Sequence, residues 1–181
     1  MKKADWKALL PYVGIPAVGI ALWLVRMGRA ELLALLMDEL LLVFGYVVAV
    51  QDIKEKRVPN KLIGAMLLGW VLIIFPQLLL QTTQTVRILI QSGIGFLLGG
   101  TLFLLVYFIS RKGLGGGDVK FMAAAGLYLG FYRVLSAMLY GAVLLAVVGG
   151  VLILLKKIGR KDTLPFIPFL YIGMLPAVFF M

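Results

Sequence analysis

Long apolar runs separated by short polar stretches cover the chain from residue 8 to residue 180. Runs of this length and composition are typical of helices that cross a lipid bilayer. They predict an all-α polytopic membrane protein with about six to seven transmembrane helices. The predicted helices are Ala8–Val25, Leu32–Ile53, Leu62–Leu80, Ile88–Ile109, Phe121–Tyr132, Val134–Leu155 and Leu164–Phe180.

One of these runs, Phe121 to Tyr132, is too short to cross a membrane alone. Counted from Asp118, it covers about 21 Å of a hydrocarbon core that is about 30 Å thick. The glycine-rich stretch 113–117 precedes it. Non-helical backbone is tolerated at membrane depth only where protein or a water-filled cavity surrounds it. We therefore expect this helix to begin below the membrane surface, at a glycine loop that dips in to meet it.

Basic residues are distributed unevenly between the two sides of this predicted arrangement. Fourteen of the 18 Lys and Arg residues fall in the N-terminal tail and in alternate loops on one side. They are Lys2, Lys3, Lys7, Lys54, Lys56, Arg57, Lys61, Arg111, Lys112, Lys120, Lys156, Lys157, Arg160 and Lys161. The other side has Arg26, Arg29, Arg87 and Arg133. Because cytoplasmic loops are the ones rich in Lys and Arg, the first side is predicted to be cytoplasmic.

Composition narrows the possible chemistry. The chain is 62% hydrophobic and its mean hydropathy is +1.06, so we expect one integral-membrane domain over residues 1–181. The net charge of +10 comes from basic residues that lie mostly in the loops of one predicted side. We interpret them as topology signals, and no nucleic-acid partner is expected. Cysteine and histidine are both absent, which removes thiol catalysis, Ser–His nucleophiles and the usual zinc ligands. We expect neither a metal nor a cofactor, and any acid–base chemistry must come from the eight carboxylates.

Two aspartates lie at helix ends on the predicted cytoplasmic side. Asp52 ends the second predicted helix, and Asp118 follows the glycine run 66 residues later. A charge at membrane depth is costly and is a functional hypothesis by default. Two carboxylates at close range would hold one proton between them, so that one activates water and the other donates to a scissile carbonyl. Such a pair titrates as a unit, so the acid and base roles stay unassigned.

The residues around both aspartates carry a family resemblance. Gly115-Gly116-Gly117-Asp118 fits the Gly-x-Gly-Asp motif of intramembrane aspartic proteases, and Asp118-Val119-Lys120 with the alanine-rich run after it resembles the type IV prepilin peptidase family. Asp52, followed by a basic loop and Val58-Pro59-Asn60, resembles that family's first-aspartate region. Pro165 to Phe169 resembles the proline-bearing start of its last helix. The resemblance runs from about residue 40 to residue 181, which we take as the catalytic core.

The resemblance implies a Gly-x-Gly-Asp aspartic protease fold with Asp52 and Asp118 as catalytic residues. It implies Gly115, Gly117, Lys120, Pro59 and Asn60 as motif and loop residues that support the site. The expected substrates are type IV prepilin-like membrane proteins, whose short basic leader would be removed at the cytoplasmic face of the cell membrane. Larger bifunctional members add a cytoplasmic N-terminal region associated with N-methylation. Because the first loop is short and cysteine is absent, we expect a peptidase without methyltransferase activity, similar to Flp/Tad-type prepilin peptidases or archaeal preflagellin peptidases.

Other interpretations are open at this stage. Asp118 fits a simple helix N-cap, and Asn60 is placed to cap the helix after Pro59. Lys120 either adjusts a neighbouring carboxylate or extends to the membrane interface. Asp38 and Glu39, near the opposite face, are expected to be non-catalytic. A proton-coupled transporter also uses membrane carboxylates, but it predicts them near the bilayer centre within an internal repeat, which the sequence does not show. The oligomeric state cannot be inferred.

Overall fold

The computed structural model describes residues 14–26, 32–80, 82–110, 114–157, 159 and 164–180, and all regular structure within them is α-helical. Six helices lie in this described part. In chain order they are α1 Gly14–Arg26, α2 Leu32–Glu55, α3 Asn60–Leu80, α4 Thr82–Ile109, α5 Gly116–Leu154 and α6 Ile167–Phe180. By length and composition α2, α3, α4 and α5 can each cross a membrane, whereas α1 and α6 are shorter apolar helices. The all-α membrane class is confirmed, and six to seven crossings stay a prediction.

The largest difference from the predicted helices is in α5. The sequence predicts two helices that meet at Arg133, whereas the structure has one element, Gly116–Leu154, with a break at Gly130. Gly130 has φ 66° and ψ −169°, a backbone conformation that favours glycine because other residues carry a Cβ. The break therefore comes three residues before the predicted one, and it divides α5 into residues 116–129 and 131–154.

Smaller differences occur at helix ends. Helix α4 begins at Thr82, six residues before the predicted start, and α6 begins at Ile167 instead of Leu164. The part of the first predicted helix before Gly14 lies outside the described residues. So do several basic residues used for the charge comparison, namely Lys2, Lys3, Lys7, Arg29, Arg111, Lys112, Arg160 and Lys161.

Most of the buried core comes from α2, the first half of α5 and α6. Fully buried side chains from these helices include Leu41, Phe121, Met122, Leu170 and Met174. Helix α4 packs against α5 at backbone distance, since a Cβ on Gly95 would lie 2.2 Å from the carbonyl oxygen of Gly126. The outer faces of α3, α4 and the second half of α5 expose large apolar side chains, as expected for surfaces that face lipid. The core thus fixes α2, α5 and α6 against one another, and these are the helices that carry the candidate site.

Candidate active site

Asp52 lies in the last turn of α2 and is only 5% exposed. Its Oδ2 accepts a hydrogen bond of 3.2 Å from the backbone N–H of Ile167, the first residue of α6. The N-terminus of a helix carries unpaired N–H groups and a partial positive charge, so it suits a carboxylate. Helix α2 ends just beyond, where the N–H of Lys56 donates to the Asp52 carbonyl over 2.9 Å and Lys56 takes a positive φ of 49°. The start of the last helix therefore holds the first aspartate.

Asp118 lies in the first turn of α5 and is 8% exposed. Gly115, in an extended conformation, is the N-cap residue of this helix. The N–H of Gly115 donates to Asp118 Oδ2 over 3.0 Å, and the N–H of Asp118 donates to the Gly115 carbonyl over 3.1 Å. Asp118 is thus not the N-cap, which was one interpretation of the sequence; it lies three residues further on and bonds back to the cap. These reciprocal bonds fix its carboxylate at the helix start.

Gly117 brings the start of α5 against the loop that follows α2. A Cβ on Gly117 would lie 2.8 Å from both Cβ and Cγ2 of Val58. Real Cβ atoms do not approach other carbons this closely, so only glycine fits this contact. Gly116 differs, because a Cβ there would meet nothing within 4 Å. The contact between the start of α5 and the loop after α2 therefore requires glycine at position 117 but not at position 116.

A side-chain hydrogen bond joins the same two segments. Lys120 Nζ donates to Asn60 Oδ1 over 3.0 Å. Asn60 is the first residue of α3, and the carbonyl of Pro59 accepts the first bonds of that helix, from Leu62 at 3.0 Å and Ile63 at 3.4 Å. The predicted capping role of Asn60 is therefore wrong: its side chain bonds to Lys120 of α5, and Pro59 occupies the N-cap position of α3. Lys120 is exposed and bonds to an amide oxygen.

Both aspartates line one cavity of about 530 Å³. Its apolar part comes from Val58 and from residues 164–166, and Lys56, Arg57 and Lys120 add positive charge. All seven predicted site residues lie in or beside this space. Six of them line it, namely Asp52, Asn60, Gly115, Gly117, Asp118 and Lys120, and Pro59 lies between the lining residues Val58 and Asn60.

The two carboxylates do not bond to each other. Among the described residues, the hydrogen bonds that they accept come from the backbone N–H groups of Ile167 and Gly115. The described residues also contain no group of three or more acidic side chains that could hold a metal ion. Two carboxylates that share a cavity large enough for water and an extended peptide can act as general acid and general base. Because a glycine-rich loop precedes Asp118, the sequence predicts that the two aspartates are mobile relative to each other in the substrate-free protein, and this stays a prediction.

Sequence reasoning missed three contributions to this site. They are the N–H of Ile167, the apolar wall formed by residues 164–166, and the contact of Val58 with Gly117. The prolines at 165 and 168 indicated where the last helix begins, but nothing in the sequence placed that helix start next to Asp52. The sequence did separate Asp38 and Glu39 from the site. Asp38 pairs with Arg26 and Arg133, and Glu39 accepts a 2.7 Å hydrogen bond from Trp23, away from the cavity.

The chain is similar to a known protein family over more than half of its length. Residues 40–150 match the family model described as the type IV leader peptidase family. The chain is 31% identical over 137 residues to a Bacillus subtilis (strain 168) protein named prepilin leader peptidase/N-methyltransferase, and this alignment covers 72% of the chain and 50% of the relative. The chain thus spans about half the length of that relative. No solved structure matches. The matched segment contains both Asp52 and Asp118, and the chain belongs to the type IV leader peptidase family.

Proposed function

We propose that this protein is an intramembrane aspartic endopeptidase that removes the short basic leader of type IV prepilin-like proteins. The observation that carries the proposal is the pair of buried carboxylates, Asp52 from α2 and Asp118 from α5, that line one cavity in a member of this family. Burying a carboxylate costs free energy, so a buried carboxylate in a membrane protein is by default a functional-site candidate. Their positions at a helix start and a helix end support a location near a membrane surface, where water is available.

Hydrolysis by such a pair needs one ionised and one protonated carboxylate. The ionised member takes a proton from water as the water attacks the scissile carbonyl carbon, and the protonated member donates its proton to the carbonyl oxygen. When the tetrahedral intermediate collapses, the C–N bond breaks and the amine leaves with a proton from the pair. Backbone N–H groups at Ile167 and Gly115 hold the two carboxylates throughout, so the geometry does not depend on a mobile cation.

The cavity suits the junction between a leader and a membrane helix. Its wall of Val58 and residues 164–166 is apolar, and its rim carries Lys56, Arg57 and Lys120. An extended peptide that leaves the bilayer at this point would place apolar residues against the wall and its scissile bond beside Asp52 and Asp118. The reaction that we propose for this site is hydrolysis; methyl transfer is named only for the relative, of which this chain spans about half.

Cleavage in membranes tests the substrate class. The protein is co-expressed with a panel of type IV prepilins, and each pilin is followed by gel mobility. We expect at least one prepilin to lose its leader only when the protein is present, while a membrane protein without such a leader stays intact. Removal of leaders from unrelated membrane proteins at a similar rate would contradict the proposed specificity.

The site is further proposed to face the cytoplasm. Within the described residues, Lys54, Lys56, Arg57, Lys61, Lys120, Lys156 and Lys157 flank the ends of the helices on the side of the cavity. Arg26, Arg87 and Arg133 are the basic residues assigned to the opposite side. This imbalance is the one that orients membrane proteins with the basic side inward.

Single cysteines test this orientation, because the natural chain has none. Lys156 and Arg87 are exposed and belong to opposite sides. We expect Lys156→Cys to react with a membrane-impermeant maleimide only in inverted vesicles, and Arg87→Cys only in intact spheroplasts. The reverse pattern would place the site outside the cytoplasm.

A further inference from the structure

A cluster of charged side chains lies at the ends of α1, α2 and α6 that are remote from the cavity. We call it the arginine cluster; it consists of Arg26, Asp38 and Arg133. Asp38 is fully buried, and both arginines bond to it. Arg133 binds it with both terminal nitrogens, and one of these bonds, from Nη1 to Asp38 Oδ2, is 3.0 Å long. Such a two-pronged contact fixes direction as well as distance.

Arg133 also holds the end of the helix segment that carries Asp118. Because Gly130 breaks α5, the carbonyls just before the break lose their helical partners. Arg133 donates to two of them, from Nε to Leu129 over 3.3 Å and from Nη2 to Tyr128 over 3.1 Å. A cation at a helix C-terminus is favourable, so Arg133 caps residues 116–129, which we call the catalytic half-helix. Asp38 in turn orients Arg133.

The arginine cluster reaches the third helix of the site as well. Arg26 donates to the carbonyl of Val178 near the end of α6, over 2.9 Å. At its other end, α6 presents the N–H of Ile167 to Asp52. Every helix that contributes a group to the two carboxylates is thus held by the arginine cluster at its remote end. These three helices are α2, the catalytic half-helix and α6, and Asp38 itself belongs to α2.

The lengths of these helices make the remote contact relevant to catalysis. Asp38 and Asp52 are 14 residues apart on one continuous helix, about 21 Å at a rise of 1.5 Å per residue. A helix is stiff along its axis. If the catalytic half-helix slides along its axis against α2 at the remote end, the carboxylates at the cavity end therefore shift relative to each other by the same distance. At the site, one hydrogen bond and one glycine contact tie the catalytic half-helix to residues 58–60, the segment after α2, and no hydrogen bond joins Asp52 to Asp118 among the described residues.

We propose that Asp38 is a positioning residue that sets the axial register between α2 and the catalytic half-helix, and thereby the relative height of Asp52 and Asp118. The inference rests on the proposed function in so far as that height matters for hydrolysis. A buried ion pair is by itself weak evidence for stability, since desolvation offsets the attraction between the charges. Its geometric role, which ties three site-bearing helices at one point, is the better explanation for burying this carboxylate.

The test measures register and activity separately. Spin labels are attached to cysteines placed at Glu55 and Gly116, which are exposed and lie at the cavity ends of α2 and α5. Their separation is measured by dipolar EPR with no substitution at the cluster, with Asp38→Asn and with Arg133→Lys, which keeps the positive charge if Asp38→Asn fails to fold. Glu39→Gln is the matched control, because it removes a neighbouring carboxylate that bonds only to Trp23 of α1 among the described residues.

We expect Asp38→Asn and Arg133→Lys to shift the label separation by about 1.5 Å, or to broaden it by a similar amount, which corresponds to one residue of helix rise. The kcat for prepilin cleavage should fall about a hundred-fold, the loss expected for a misplacement of about 1 Å, with little change in KM. Glu39→Gln should change neither quantity.

An unchanged label separation in folded, monodisperse Asp38→Asn and Arg133→Lys would overturn the inference, as would a loss of folded protein with kcat unchanged. A wrong proposed function would give a different result from a wrong role for Asp38. The unsubstituted protein would then cleave no prepilin, while the label separations would still respond to Asp38→Asn.

Discussion

Asp52→Asn and Asp118→Asn should each abolish leader cleavage, with kcat reduced at least about a thousand-fold, within the range that acid–base groups contribute. The amide has nearly the same shape as the carboxyl group, and its oxygen can still accept the N–H of Ile167 or Gly115. It can neither take a proton from water nor share one with its partner. The double variant should be no worse than either single variant, because the pair works as a unit.

Glu55→Gln provides the matched control for these substitutions. Glu55 lies on the same helix end as Asp52, three residues away, and is exposed. We expect normal cleavage in this variant, measured in the same membranes with the same prepilin. Residual cleavage above background by Asp52→Asn or Asp118→Asn would remove that aspartate from the catalytic pair, and equal loss in Glu55→Gln would point to a general effect of charge.

Gly117→Ala should lower kcat about a hundred-fold with little loss of folded protein. The new methyl group would lie 2.8 Å from Val58, whose β-branched side chain has little rotamer freedom to move away. The start of α5 must therefore move from the loop after α2 by a substantial fraction of an ångström, and Asp118 is the next residue. Displacements on the order of 1 Å at a catalytic group cost about a hundred-fold in rate. The helix itself gains, since alanine favours helix over glycine by about 1 kcal/mol.

Gly116→Ala is the control that distinguishes the clash with Val58 from the general effect of replacing a glycine with alanine. Gly116 is the neighbouring residue of the same helix turn, and a Cβ there has open space around it. We expect near-normal cleavage and unchanged or slightly higher thermal stability in Gly116→Ala. Equal activity of Gly116→Ala and Gly117→Ala would show that the contact with Val58 does not position Asp118.

The sequence was most informative about the candidate reacting groups, because its composition leaves few of them. Without histidine or cysteine, and with eight carboxylates, the two aspartates at helix ends stood out, and the motif around Asp118 indicated the family that the comparisons confirm. The apolar runs predicted all six described helices with errors of a few residues at most ends. The exception, α5, shows the limit of hydropathy: an apolar run does not show where its backbone leaves helical geometry, and Arg133 was a less accurate marker of the break than Gly130.

The contacts that position the aspartates could not be predicted in the same way. Ile167 lies 115 residues after Asp52, and its contribution is a backbone N–H that any residue but proline supplies. Asp38 was interpreted as non-catalytic from its position along α2, which the structure supports by placing it outside the cavity. Its bonds to Arg133 depend on how α5 folds back at Gly130. Such contacts follow from tertiary packing, and local sequence patterns do not encode them.

The most direct test of the central claim is the intact mass of a prepilin after incubation with the purified protein in liposomes. We expect two products whose masses add up to the substrate plus one water, from a single cut between the basic leader and the apolar segment. We expect no products with Asp52→Asn or Asp118→Asn. Cleavage at another position, or the same products from either variant, would contradict hydrolysis by this aspartate pair.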